Sequence, residues 1–107
     1  MTIRCVTIKL IPDTEAKARE WAAELTRRSG EVYASLKAEG VYIEAAFLET
    51  RTDGNYLIYI MRSDDFGKAQ ATTTASLAPI EAYHREFKTS CWESVTPLEC
   101  LISFEAS

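Results

Sequence analysis

The stretch VYIEAAFLETRTDGNYLIYIMR, residues 41–62, holds two alternating apolar runs on either side of Arg51-Thr52-Asp53-Gly54. Asp-Gly between such runs is a strong β-hairpin signal, because both residues accept the positive φ angles of a tight reversal. Val41 to Thr50 and Asn55 to Arg62 therefore read as antiparallel strands. A register placing Phe47 opposite Ile58 collects Ile43, Ala45, Phe47, Tyr56, Ile58 and Ile60 on one face. The other face then holds Tyr42, Glu44, Leu48, Leu57, Tyr59 and Met61. The first set is the more uniformly apolar and is expected to lie under helices.

Upstream, Ile3 to Ile11 is rich in β-branched residues and alternates Arg4, Val6, Ile8 and Leu10 against Cys5, Thr7 and Lys9, the pattern of a strand. Pro12-Asp13-Thr14-Glu15 reads as a helix start with Asp13 as cap. Ala18, Ala22, Leu25, Ser29, Val32 and Leu36 recur at helical spacing, thickened by Trp21, and Gly40 closes the run. Glu15/Arg19 and Glu24/Arg28 at i,i+4 mark the solvated side. Gly30 predicts a kink. Downstream, Ser63-Asp64-Asp65 caps a helix from about Asp64 to Thr73, and Pro79 opens another that carries Ile80, His84, Phe87 and Cys91 on one stripe. Leu98 to Phe104, with Leu98, Cys100, Ile102 and Phe104 alternating, reads as the last strand.

The order is βαββαβ, with the second helix split in two. It predicts an α+β, ferredoxin-like antiparallel sheet with helices on one face, spanning residues 1–107 as a single domain. The uncovered face, read as carrying Tyr42, Leu48, Leu57, Tyr59, Met61 and Leu101, is too apolar to meet water, so a homodimer through the open sheet face is expected.

Composition narrows the function classes. Twelve basic against sixteen acidic side chains give a net charge of −4, no footprint for nucleic acid or an anionic membrane. Neither a signal peptide nor a membrane-spanning run is evident, which predicts a cytoplasmic protein. Cys5, Cys91 and Cys100 are too scattered for a disulfide framework or a zinc site and read as buried, reduced thiols. One histidine and dispersed carboxylates predict no metal centre. Without a glycine-rich phosphate loop, no nucleotide cofactor is indicated; no cofactor is expected.

The candidate chemistry rests on few residues. His84 is the only histidine and titrates nearest neutrality, so acid–base work falls on it first. Glu44 is the second catalytic candidate, expected to share a cavity with Tyr59 and Lys9, where an apolar setting raises a carboxyl pKa and a Lys9 pair makes it structural. Trp21, Tyr59, Trp92 and Lys9 are the candidate ligand-binding residues, the indoles as walls for a planar or sugar ligand or as core packing.

Arg4 through Leu10, Glu20-Trp21, Glu39 through Glu44, Tyr56 through Phe66, and Tyr83-His84 through Glu93 together resemble the dimeric α/β-barrel superfamily. That group includes antibiotic-biosynthesis monooxygenases, rhamnose mutarotases and haem-handling proteins. The closer resemblance is to an uncharacterised bacterial family of small domains of unknown function within it. The resemblance implies the fold and the dimer. The mutarotases' helix-one histidine has no counterpart, the corresponding helix offering Glu20, Trp21 and Glu24. Two functions are compatible with these residues: a small-ligand-binding or interaction domain, and a cofactor-independent enzyme, monooxygenase-like or isomerase-like, on a small aromatic or cyclic substrate.

Overall fold

The computed structural model describes residues 2–106. Four strands, β1 (Thr2–Leu10), β2 (Val41–Arg51), β3 (Gly54–Ser63) and β4 (Trp92–Pro97), form one antiparallel sheet in the order β2-β3-β1-β4. Two helices, α1 (Glu15–Arg27) and α2 (Ser29–Glu39), connect β1 to β2, and α3 (Phe66–Ala75) and α4 (Pro79–Cys91) connect β3 to β4. The helices form one layer, and the buried core lies between it and the sheet.

Local chemistry sets the helix ends. The Asp65 carboxylate accepts from the Lys68 amide at 3.0 Å, and Pro79 occupies the first turn of α4. Gly40 ends α2 in the left-handed conformation, φ 71°, which costs glycine no side-chain clash. Asp13 does not cap α1. It takes a positive φ of 67° in the turn, and Thr14 holds the cap position with its hydroxyl donating to the Ile11 carbonyl at 2.6 Å. The predicted kink becomes a full break at Arg28, two residues before Gly30, where backbone angles of −103° and 32° leave the helix. Arg28 is held there by bonds of 2.7 and 2.9 Å to Glu31.

The hairpin register is as expected, Phe47 opposite Ile58, but its two faces are exchanged. Leu57 and Tyr59 lie under the helices at 4% and 5% exposure, whereas Phe47 and Ile43 point outward at 59% and 46%. Pairing with β1 decides this. Leu57 sits opposite Ile8, which is completely buried, and so joins Leu10, Ala18, Trp21, Tyr59, Phe87 and Cys91 in the core. The apolarity of β2 alone pointed the wrong way because it is an edge strand. Its outward Ile43 and Phe47 are apolar and exposed.

The last strand also differs from expectation. β4 begins at Trp92, directly after α4, and ends at Pro97, which has no amide hydrogen to extend the ladder. Leu98 to Phe104 forms no strand. The tail leaves the sheet where the Leu98 amide donates to the Cys5 carbonyl at 2.9 Å and reaches β3 through a 3.3 Å Arg62–Glu105 ion pair. Leu101, Ile102 and Phe104 are 83%, 75% and 88% exposed. Their alternation suggests a strand, but among the described residues no strand pairs with them. The cysteines are all free, yet only Cys91 is buried; Cys5 is half-buried and Cys100 exposed, which corrects the expectation of three buried thiols.

Candidate functional site

The helix-facing side of the sheet does not pack completely against the helices. A cavity of about 160 Å³ remains between β1, β2 and β3 below and α2, α3 and α4 above. It is smaller than a drug-sized pocket, roughly 300 Å³ upward, but comparable with the roughly 150 Å³ that accommodates a single six-membered ring. Its apolar walls include Val6, Met61, Phe66 and Ile80, and its ionisable groups are Arg4, Glu39, Glu44, Tyr59, Glu81, His84 and Lys88.

Four of the six sequence-derived candidates, His84, Glu44, Tyr59 and Trp92, line this cavity. Tyr59 donates its phenolic hydroxyl to Glu44 across the β2–β3 pair. Burial pushes the Glu44 carboxyl up, opposed by the Tyr59 bond and the Lys88 charge. Burial, reinforced by Glu44, likewise holds the Tyr59 hydroxyl well above its ordinary value. Tyr59 is thus a permanent donor at neutral pH.

His84 is fixed by Trp21, whose indole N–H donates to its Nδ1 at 3.1 Å while the two rings stack with centroids 5.6 Å apart. That bond assigns the neutral tautomer with the proton on Nε2. Burial, with help from the Lys88 charge, depresses the imidazole to about pH 4, so at neutral pH it is a hydrogen-bonding group without charge. The buried indole N–H of Trp92 is, among the described residues, the one buried side-chain polar atom without a partner. An unpaired buried donor is costly unless something in the cavity accepts from it.

Two candidates lie elsewhere. Trp21 stands behind His84, stacked on Phe87 at 4.5 Å, and is a core residue. Lys9 projects from the opposite face of the sheet, 3.9 Å from Asp53 and 3.7 Å from Glu93, so it neither enters the cavity nor pairs with Glu44. The one-residue alternation of β1 dictates this, since Ile8 and Leu10 take the inner face.

Sequence reasoning missed Glu39 and Glu81. Both are more than nine-tenths buried, at 7% and 6% exposure, and they line the same cavity from α2 and α4. Burial and the neighbouring Glu81 carboxyl push Glu39 up to about 8, while Thr73 opposes the shift. One is the last residue of α2 and the other lies in the first turn of α4, forty-two positions apart, so no local spacing links them. The available signal was weak: a glutamate directly before a C-capping glycine, where the helix dipole disfavours negative charge.

These shifts carry a pH signature. Glu39 binds its proton more tightly folded than unfolded, so its contribution to stability is full below pH 4.5 and is lost as pH rises through about 8. His84 binds its proton less tightly folded, so its contribution is full above pH 6.5 and is lost as pH falls through about 4. Each slope is at most about 1.4 kcal/mol per pH unit. Between the two ordinary values the contributions oppose each other. Urea midpoints should show Glu39→Gln flattening the alkaline decline and His84→Gln flattening the acid one. A Glu39→Gln midpoint that tracks wild type at a fixed offset from pH 5 to 8.5 would refute this assignment.

Among the described residues no group of three or more acidic, His or Cys side chains is placed to hold a metal ion, and no helix is long and apolar enough to cross a membrane. The β2-β3-β1-β4 sheet, with its helices on one face and its cavity between, is a ferredoxin-like α+β fold. The chain belongs to a family of unknown function, DUF6176, which matches residues 1–106. It is similar in structure to an L-rhamnose mutarotase from Formosa agariphila, with a TM-score of 0.66 at 15% identity, covering 98% of this chain and 100% of that one. It is also similar to a protein of unknown function from Nitrosomonas europaea, with a TM-score of 0.51 at 15% identity, covering 98% and 93%. No protein of curated function matches it.

Proposed function

We propose that this chain is a homodimeric, single-domain binder of a small, uncharged, hydroxyl-bearing ring molecule, held in the cavity between sheet and helices. The observation that carries the reading is the unpaired Trp92 indole N–H in a ring-sized space. Around it stand further groups able to meet hydroxyls: the His84 Nε2–H, the Tyr59–Glu44 pair and the Glu39–Glu81 pair. An aromatic substrate, as a monooxygenase-like role requires, would leave these donors and acceptors unmet. The isomerase-like alternative gains support from the likeness to an L-rhamnose mutarotase, because mutarotation needs only a ring-sized site with proton donors and acceptors. Titration with L-rhamnose and other monosaccharides, followed on the Trp92 indole resonance, tests the reading. Saturable shifts are expected, and a resonance unmoved by the whole sugar panel rejects it.

The dimer is supported by two apolar surfaces that the chain leaves uncovered. Ile43, Ala45, Phe47, Ile58 and Ile60 occupy the outer sheet face, and the tail presents Leu101, Ile102 and Phe104. Removing such surface from water yields roughly 25 cal/mol per Å². A second copy contributes the same face, so two sheets cover each other. Phe47→Asp is expected to give a folded monomer, since Phe47 has few contacts to lose within its own chain. Sedimentation velocity at micromolar concentration checks this: a monomeric wild type, or an unchanged dimer in the variant, contradicts it.

A further inference from the structure

We infer that Glu39 and Glu81 are the acid–base pair of the cavity, moving a proton between two oxygens of the bound ring molecule and exchanging it with solvent through the groove outside. The inference rests on the proposed ring-ligand reading and assigns the proton chemistry to residues outside its original candidates.

Position carries the argument. Glu39 and Glu81, with Ser35 and Ile80, line the inner cavity and also a second, more open groove of about 310 Å³ between α2, α3 and α4. They therefore form the shared wall between the ligand space and water. A catalytic proton must reach the ligand and must also be replaceable, and this wall meets both needs. His84 and Tyr59 touch only the inner cavity, and neither changes protonation near neutrality.

The electrostatic setting agrees with the geometry. Glu39 faces Glu81, His84 and Lys88 on α4, Thr73 on α3, Glu44 on β2, Tyr59 on β3 and Arg4 on β1. Two buried carboxyls on one wall cannot both ionise cheaply, so the pair retains a proton. Burial pushes the Glu39 carboxyl up, so Glu39 is assigned the acid's role and its neighbour Glu81 that of the base.

For a cyclic hemiacetal the step balances without any further reactant. Glu81 takes the proton of the anomeric hydroxyl, Glu39 gives its proton to the ring oxygen, and the bond between that oxygen and the anomeric carbon breaks to leave an open-chain aldehyde. Rotation and reclosure on the other face reverse both transfers and restore the pair. Nothing is oxidised or reduced.

L-rhamnose serves as the probe, and exchange between its anomers is followed by saturation-transfer NMR while the Trp92 indole resonance reports occupancy. Wild type is expected to accelerate exchange over buffer, with the rate falling as pH rises through 8. Glu39→Gln and Glu81→Gln, neutral and nearly isosteric, should each lower the rate about a hundredfold while rhamnose still shifts Trp92. If rhamnose shifts Trp92 but wild type does not accelerate exchange, or either variant keeps the rate within about twofold, the acid–base assignment is wrong and ring binding stands. If rhamnose leaves Trp92 unmoved, ring binding fails for this probe and the assignment falls with it.

Discussion

Leu57→Asp is expected to abolish folding, not to dissociate a dimer. Leu57 is 4% exposed, lies opposite the fully buried Ile8 and belongs to the cluster around Trp21 and Phe87. The substitution removes a buried aliphatic side chain and puts a carboxylate where the core cluster is apolar. Burying an unpaired charge and opening a cavity are both among the mechanisms that cost more than about 4 kcal/mol, a large share of the roughly 5–15 kcal/mol that hold a domain together. Circular dichroism should show loss of the cooperative thermal transition, in contrast to Phe47→Asp on the other face of the same hairpin. A Leu57→Asp protein that melts like wild type would mean the sheet faces are reversed.

That contrast marks where the sequence was legible and where it was not. The hairpin and the Phe47–Ile58 register follow from local chemistry, and both are found, although Thr52 and Asp53 make the turn and Gly54 already pairs with Arg51. So are the Asp65 cap, the Gly40 stop and the Pro79 start. The choice of inner face is not local. It depends on which side of β3 meets Ile8 and Leu10 of β1, a pairing across nearly fifty residues, and the more apolar side of the edge strand β2 faces out. Leu98 to Phe104 misled for a related reason, since an alternating apolar run signals a surface needing a partner without saying which chain supplies it.

The site was legible in the same uneven way. His84, Glu44, Tyr59 and Trp92 stood out as rare or chemically versatile residues, and they converge on one cavity. Lys9 and Glu44 lie on different faces because β1 pairs with β3 so that Ile8 meets Leu57, a register that neither strand's own pattern reveals. Glu39 and Glu81 looked like ordinary helix-surface acids; only the packing of α2 against α4 turns them into a buried pair.

Trp21 joins the core to the cavity, and its replacement tests that link. Its ring is 5% exposed, stacks on Phe87 at an interplanar angle of 9°, and donates to His84 at 3.1 Å. Trp21→Ala should cost roughly 3–5 kcal/mol, because a large aromatic is lost and the surrounding helices cannot close the void completely. For a chain of this size that corresponds to a fall in Tm of about 15 °C or more. Trp21→Phe separates packing from hydrogen bonding. It keeps an aromatic face for Phe87 and leaves the His84 Nδ1 without its donor, for an expected cost of about 1–3 kcal/mol. The lost bond had favoured the neutral imidazole, because a protonated Nδ1 cannot accept from the indole. His84 should therefore titrate higher in Trp21→Phe than in wild type, while burial still holds it below its ordinary 6.5. Imidazole proton shifts followed against pH read this directly. An unchanged titration point in a variant with a lowered Tm would show that Trp21 supports the core without setting the protonation of the cavity's histidine.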